Sequence, residues 1–170
     1  MKKILSLLGT ITLIGTSTPS LVACNKKHEY TPEELEKFKK ENKINTKNQT
    51  IRDNLEWIAP QEKPFNKIDD KYYFVVWRGD KNDNWRIAKF KNDNIYKKID
   101  EYNNFWGIRK AFVNNYGDGI VINKIKNNQE LRYRIWPNND YFKAVYRWNL
   151  DIQEPNLIVD KDGMVKVNEI

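Results

Sequence analysis

Apolar and polar side chains alternate along most of the chain after residue 70, which is the pattern of β-strands. The segment YYFVVWR, 72–78, is apolar on both of its faces, so it predicts a central strand that is covered on both sides. WRIAKFK, 85–91, follows across the turn GDKNDN and predicts an antiparallel partner for that strand.

Later segments repeat the pattern. Strands are predicted at 108–113, 119–125, 131–136 and 141–148, and a last hairpin is predicted in LIVDKDGMVKV with its turn at Asp162 and Gly163. Leu131, Tyr133 and Ile135 are expected to share one face, whereas 95–106 carries no clear strand pattern. Short strands with Asn, Asp and Gly between them predict a mainly β chain (α+β overall), an antiparallel meander that forms a small sandwich, a barrel or a propeller-like sheet.

One helix is predicted before the strands. In TPEELEKFKKENK, Thr31 is an N-cap, Pro32 occupies the first helical position and Glu34 lies three residues past the cap. The helix is expected to cover 32–42, and IRDNLEWIAP is expected to add one further turn or short helix before Pro60.

The first residues have the layout of a bacterial lipoprotein signal. Two lysines precede an apolar run, small and polar residues follow, and the run closes on Leu21, Val22, Ala23 and Cys24, which match a lipobox position by position. Lipidation needs a sulfur nucleophile, and Cys24 is the single cysteine of the chain, so an internal disulfide is excluded. Gly9, Gly15 and Pro19 make a permanent membrane span a poor alternative.

These features divide the chain into three predicted parts. A signal peptide covers 1–23, a tether with the short helix covers 24–50, and a single β-rich domain covers 51–170. A diacylglycerol group on Cys24 is expected to hold the domain at the extracellular side of the cell membrane.

The signal, its continuation EYTPEELEKFKKENKINT, the block VVWRGDKNDNWRIAKFKN and YRWNL near the end resemble an uncharacterised family of surface lipoproteins from spiroplasmas, which are mollicutes. The family has no established activity, so the resemblance implies no catalytic residues. It does imply a domain that faces the host directly, because these wall-less bacteria have no outer membrane.

Charge and residue usage exclude several kinds of chemistry. Of 30 basic side chains, Lys2 and Lys3 belong to the signal, which leaves 28 against 23 acidic ones, a net charge of +5. This modest balance and the predicted location outside the cell argue against nucleic acid as a partner. The single histidine, His28, lies in the tether, so catalysis by a Ser-His-Asp triad and zinc sites built on His or Cys are not expected.

Carboxylates leave one enzymatic alternative open. Asp69 with Asp70, Asp100 with Glu101, and Asp118 are candidates for the acid and base of a glycan hydrolase. All of them lie in polar segments near turns, so no catalytic residue, cofactor or metal is predicted. Asp80, Asn82 and Asn84 have the spacing of a calcium loop, but Trp85 replaces its glycine and Lys91 its glutamate.

The candidate binding surface combines an RGD tripeptide with four tryptophans: Arg78, Gly79, Asp80, Trp77, Trp85, Trp136 and Trp148. RGD on a tight exposed loop suits adhesion, and exposed aromatic rings suit sugars or protein hot spots, with core packing as the alternative for each ring. The sequence therefore predicts a lipid-anchored, non-catalytic module that binds a host surface protein or glycan, with a glycan hydrolase and a structural coat protein as alternatives.

Overall fold

The computed structural model describes residues 29–94, 96–115, 117–127 and 129–168. The predicted signal peptide, the lipobox and Cys24 lie outside the described residues. Among the described residues, no helix has both the length and the apolar character that crossing a membrane requires.

In the described part of the chain, two short helices come before ten strands. The helices are α1 (Pro32–Glu41) and α2 (Gln49–Asn54). The strands are β1 (Leu55–Trp57), β2 (Tyr72–Trp77), β3 (Arg86–Lys91), β4 (Lys97–Tyr102), β5 (Trp106–Val113), β6 (Gly117–Lys126), β7 (Gln129–Ile135), β8 (Phe142–Trp148), β9 (Leu157–Val159) and β10 (Val165–Val167). Two 3-10 turns, Pro60–Glu62 and Pro64–Asn66, connect β1 to β2.

The strands form a sandwich of two four-stranded antiparallel sheets, ordered β1-β8-β2-β3 and β4-β5-β6-β7, with β9 and β10 as a separate hairpin. This confirms the mainly β class and selects the sandwich over a closed barrel. The second sheet is a simple meander. In the first sheet β8 returns from far along the chain and inserts between β1 and β2.

The prediction of a central strand covered on both faces is confirmed by β2. It pairs with β3 on one side and with β8 on the other. Val75 and Trp77 join the core between the two sheets. Phe74 and Val76 point the other way and pack in a second core with residues from α2, β1 and the β9-β10 hairpin. Burying both faces requires a continuous apolar run, which is what the segment supplies.

The helix prediction is also confirmed, although α1 ends one residue earlier than expected. Thr31 Oγ1 accepts a hydrogen bond from Glu34 N at 3.3 Å, and Glu34 Oε2 accepts one from Thr31 N at 2.9 Å, as a capping box requires. No residue of α1 is buried. Lys39 Nζ holds the helix to the domain through Glu56 Oε1 at 2.5 Å and Glu62 Oε1 at 2.6 Å.

The end of the predicted tether takes part in the packing of the domain. Ile44 is 5% exposed and belongs to the second core, and Thr46 is 8% exposed. Asn48 then caps α2, because its Oδ1 accepts a hydrogen bond from Ile51 N at 3.1 Å.

The second sheet contains one strand that the sequence pattern left open and one face that it predicted wrongly. Residues 97–102, which carry no clear strand pattern, form β4. In β7, Arg132 pairs with Asn123 and Arg134 with Ile122, so Tyr133 is the extra residue of a bulge. Tyr133 therefore packs against the core between the sheets while Ile135 packs on the opposite face, and the two do not share a side.

Candidate functional site

Two of the four tryptophans assigned to the binding surface belong to the core instead. Trp77 is 0% exposed and Trp148 is 1% exposed. The reason is topological, since β2 and β8 are the two inner strands of a sheet that is covered on both faces. Trp148 Nε1 donates a hydrogen bond to Ile152 O at 3.1 Å, which satisfies its polar atom inside the protein.

The RGD tripeptide is packed into the protein and is not presented as an exposed loop tip. Gly79 is buried, and its N donates to Tyr102 Oη at 2.8 Å. Arg78 Nε donates to Asp140 O at 2.7 Å, and its guanidinium carbon lies 4.3 Å from the ring centroid of Trp85. The arginine that a receptor would recognise is therefore already held by groups of this chain.

The turn that contains Asp80 is held by its own backbone and side chains. Asp80 Oδ1 accepts from Asn82 N at 3.1 Å, and Asp83 Oδ2 accepts from Asp80 N at 3.1 Å. Among the described residues, no group of three or more His, Cys, Asp or Glu side chains is arranged to hold a metal ion.

Trp136 is the predicted surface residue that lies in a cleft. The cleft has a volume of about 520 Å³ and is bounded by the 3-10 turns, by the ends of β5 and β6, and by the loop that follows β7. We call it the Trp136 cleft. Two aromatic rings and several amides line it, among them Tyr30, Gln61, Asn66, Trp136, Asn138 and Asn139.

The walls of the Trp136 cleft are fixed from the interior. Phe65 is 1% exposed and meets the Trp136 ring edge to face, with centroids 5.6 Å apart. Tyr30 N donates to Gln61 Oε1 at 2.6 Å, and Gln61 Nε2 donates to Tyr30 O at 2.9 Å. These reciprocal bonds attach the segment before α1 to the 3-10 turn, so residues far apart in sequence share one wall.

Three carboxylates line the same cleft: Glu29, Asp118 and Asp140. Asp140 Oδ2 lies 2.8 Å from Lys81 Nζ, and the hydrogen bond from that ammonium holds the pKa of the Asp140 carboxyl below its usual range. Asp140 is therefore an ionised acceptor for hydroxyl or amide donors. The side chain of Asp118, a predicted candidate acid, makes no hydrogen bond or ion pair with the other described residues, while its backbone belongs to the β5-β6 ladder.

The other predicted carboxylates lie elsewhere. Asp69 accepts from Tyr73 Oη at 2.7 Å and from Asn92 Nδ2 at 2.8 Å, so it belongs to an internal network. Asp70 lies 3.9 Å from Lys91 Nζ, Asp100 lies 3.7 Å from Arg86 Nε, and Glu101 pairs with Lys98. Only Asp118 among the proposed acids reaches the Trp136 cleft in the described part of the chain.

Comparison with known proteins points to an origin more than to an activity. No family model matches the chain, and no solved structure matches it. A protein of Spiroplasma virus SpV1-R8A2 B, called Uncharacterized protein ORF1, is 28% identical over 112 residues. The match covers 65% of this chain but only 11% of the viral protein. It supports a spiroplasma-related origin, and the name of the viral protein states no activity.

A row of rings with two cations runs from Phe105 to Tyr141. Phe105, Trp106, Tyr133 and Tyr141 follow one another with centroid distances of 4.9, 5.0 and 5.8 Å. The Arg134 guanidinium lies 3.8 Å from the Tyr133 centroid, and Lys124 Nζ lies 4.9 Å from that of Phe105. The sequence signal for this row is RYRIW, where basic and aromatic side chains alternate.

A buried lysine was missed by sequence reasoning. Lys110 is 1% exposed, and its Nζ donates to Asn92 Oδ1 at 2.5 Å. Asn92, itself 0% exposed, donates through Nδ2 to Lys67 O at 2.9 Å. Burial lowers the pKa of the Lys110 ammonium, and the charges of Asp118, Asp69 and Asp93 act in the opposite direction. Alternation within the predicted strand 108–113 puts Lys110 and Ile108 on the same face, but nothing in the sequence marks that face as the interior.

Proposed function

We propose that this protein is a lipid-anchored, extracytoplasmic binding module whose Trp136 cleft takes a carbohydrate of the host surface. The observation that carries the proposal is a cleft of about 520 Å³ that combines aromatic rings, amides and an ionised carboxylate. Ligand sites in proteins are concave, with a few polar groups that fix the orientation of the ligand.

The side chains of the cleft suit a ligand with many hydroxyl groups. The exposed part of the Trp136 ring offers an apolar face for the C–H groups of a sugar. Asn138 and Asn139 carry both donors and acceptors, and Asp140 carries acceptors only. Such a set matches hydroxyl groups, which donate and accept at once.

The anchor is proposed to keep this cleft close to the membrane. Cys24 and Tyr30 are separated by six residue steps, and an extended chain covers at most about 3.5 Å per residue. The cleft wall formed by Tyr30 would therefore lie within roughly 20 Å of the lipidated cysteine. Glycans on a host cell in close contact are within reach of such a site.

Lipidation at Cys24 gives the first prediction. Cells that express the full chain and grow with labelled palmitate are expected to incorporate label into the protein, and Cys24→Ser is expected to incorporate none. Ser6→Ala, which changes the signal without touching the lipobox, serves as the control and keeps the label. Label retained by Cys24→Ser would show that the acyl chain is attached elsewhere or that the lipobox is not used.

Binding in the cleft gives the second prediction. The full chain is expected to bind a subset of glycans on an array, and Trp136→Ala is expected to weaken that binding at least about fivefold, because stacking on an aromatic ring contributes on the order of 1 kcal/mol beyond area burial. Tyr96→Ala removes an exposed aromatic ring outside the cleft and is expected to bind like the wild type. Equal binding by wild type and Trp136→Ala would place the ligand elsewhere.

A second candidate function is favoured by one observation, the presence of Asp118 and Asp140 in the same cleft. A glycan hydrolase needs two carboxylates, one of which stays protonated at its working pH. The ion pair with Lys81 keeps Asp140 ionised, so Asp118 would have to act as the acid. Release of shorter glycans by the wild type that is abolished in Asp118→Asn, with binding retained, would establish the hydrolase in place of the binding module.

A further inference from the structure

Strand β7 forms an open edge of the sandwich. It is the last strand of the sheet β4-β5-β6-β7 and pairs with β6 alone. Residues 129–132 are exposed, and in the described part of the chain no backbone hydrogen bond is made on the side of β7 away from β6. Such an edge presents donors and acceptors to which another strand can be added.

The edge is basic, and four of its cations lie outside the ion pairs of the described residues. Lys124, Lys126, Arg132 and Arg134 form no ion pair with any described carboxylate. The one acid of β7, Glu130, is already bound by Arg109, and its Oε2 also accepts from Asn123 Nδ2 at 2.8 Å. In the described part of the chain, the edge therefore carries positive charge that no ion pair offsets.

The register of β6 and β7 sorts these side chains onto two faces. Lys124 lies opposite Leu131, and Arg134 lies opposite Ile122, so these side chains share the face that continues from the core. On that face Leu131 is 54% exposed and the neighbouring Phe105 is 37% exposed. Arg132 lies opposite Asn123 on the other face.

We propose that an extended, acidic segment of a partner protein adds to β7 as a fifth strand of this sheet. Its backbone would pair with the open edge, and alternate side chains would meet Lys124, Leu131 and Arg134 on one face and Arg132 on the other. The segment that fits alternates carboxylates with apolar residues, since both cations and exposed apolar surface line the edge. We call residues 129–134 with Lys124, Lys126 and Phe105 the β7 edge surface.

A peptide strand fits this surface better than a nucleic acid. Stacking of bases needs free ring faces, but Lys124 lies over Phe105 and Trp106, and Arg134 lies over Tyr133 and Tyr141. What remains available is charge, exposed apolar surface and an unpaired backbone. The inference goes beyond the proposed carbohydrate site, and neither depends on the other.

The test uses a fluorescent decapeptide that alternates glutamate and valine, titrated with the full chain and followed by anisotropy. Two further versions carry N-methyl groups on the odd or on the even residues. In a paired strand only alternate N–H groups point to the neighbour, so one methylated version is expected to lose binding at least about tenfold while the other retains it. Equal binding by both versions would overturn the proposal, because charge alone would then explain it.

Charge reversal supplies the matched variants. Arg132→Glu is expected to weaken binding of the decapeptide at least about tenfold, because a like charge then faces the glutamates. Lys161→Glu makes the same change of charge in the exposed β9-β10 turn and is expected to bind like the wild type. Equal loss in both variants, no binding of the decapeptide, or binding of a sulfated polysaccharide or oligothymidine in its place would overturn the proposal.

Discussion

Replacing Gly79 by alanine is expected to destabilise the protein by about 3 kcal/mol, because the interior has no space for a methyl group there. A Cβ built on Gly79 would lie within 2.6 Å of three atoms of the Trp106 indole. That ring cannot move aside easily, since Trp106 is 6% exposed and is in contact with Phe105 and Tyr133. Either the β2-β3 turn or the row of rings must shift.

The control for this substitution is another glycine of the same chain. A Cβ built on Gly119, in β6, would have no atom within 4 Å. Gly119→Ala is expected to leave stability unchanged or to raise it by about 0.5 kcal/mol, because alanine reduces the entropy of the unfolded chain. Urea denaturation followed by tryptophan fluorescence measures both variants. Similar midpoints for Gly79→Ala and Gly119→Ala would contradict the packing of Gly79 on Trp106.

This experiment also decides how the RGD tripeptide is to be interpreted. In an adhesive loop the glycine would allow the loop to present the tripeptide to a receptor. Alanine at that position would then reduce binding without unfolding the protein. Here Gly79 lies against Trp106 and donates to Tyr102, so its lack of a side chain serves packing. The tripeptide is explained by the fold, and the proposed binding sites are the Trp136 cleft and the β7 edge surface.

Local sequence signals predicted the elements of the fold whose causes are local. The capping box of Thr31 and Glu34 placed α1, and the doubly apolar β2 indicated a sheet covered on both sides. The Asp160 to Gly163 turn formed as expected, with Gly163 at φ 82°. In each case the signal lies within a few neighbouring residues of the sequence.

Local signals could not predict which distant segments pair with one another. Leu55–Trp57 becomes a strand because it pairs with β8, whose residues lie about 90 positions later. The bulge at Tyr133 reverses the face of Ile135, which no alternation could show. The Trp136 cleft combines Tyr30, Gln61 and Asp118 with the loop after β7, so it exists only once the sandwich has formed.

The contact between Asn92 and Lys110 gives the second large effect. Asn92→Ala removes the acceptor of a buried ammonium and is expected to cost about 3 kcal/mol of stability, because an uncompensated charge would remain inside. Lys110→Met keeps the length of the side chain without the charge, and we expect its stability at pH 7 to match or exceed that of the wild type. In the double variant the cost of Asn92→Ala is expected to fall well below its cost alone. Additive effects would show that the two side chains do not interact.

The same lysine predicts how stability depends on pH. Its native pKa lies below the ordinary value of 10.5, so between those two values the unfolded chain binds a proton that the native protein does not. The free energy of unfolding therefore increases with pH across that window, and the penalty of burying the charge applies in full below it. Lys110→Met lacks this dependence. The pKa values of Tyr73 and Tyr102 are raised by burial and by Asp69 and Asp83, respectively. Both tyrosines are present in the wild type and in Lys110→Met, so their contributions to the pH dependence cancel in the comparison. Urea titrations between neutral pH and 10.5 are expected to show that the wild type gains stability relative to Lys110→Met as the pH rises. A constant difference in stability would mean that Lys110 keeps its ordinary pKa in the folded protein.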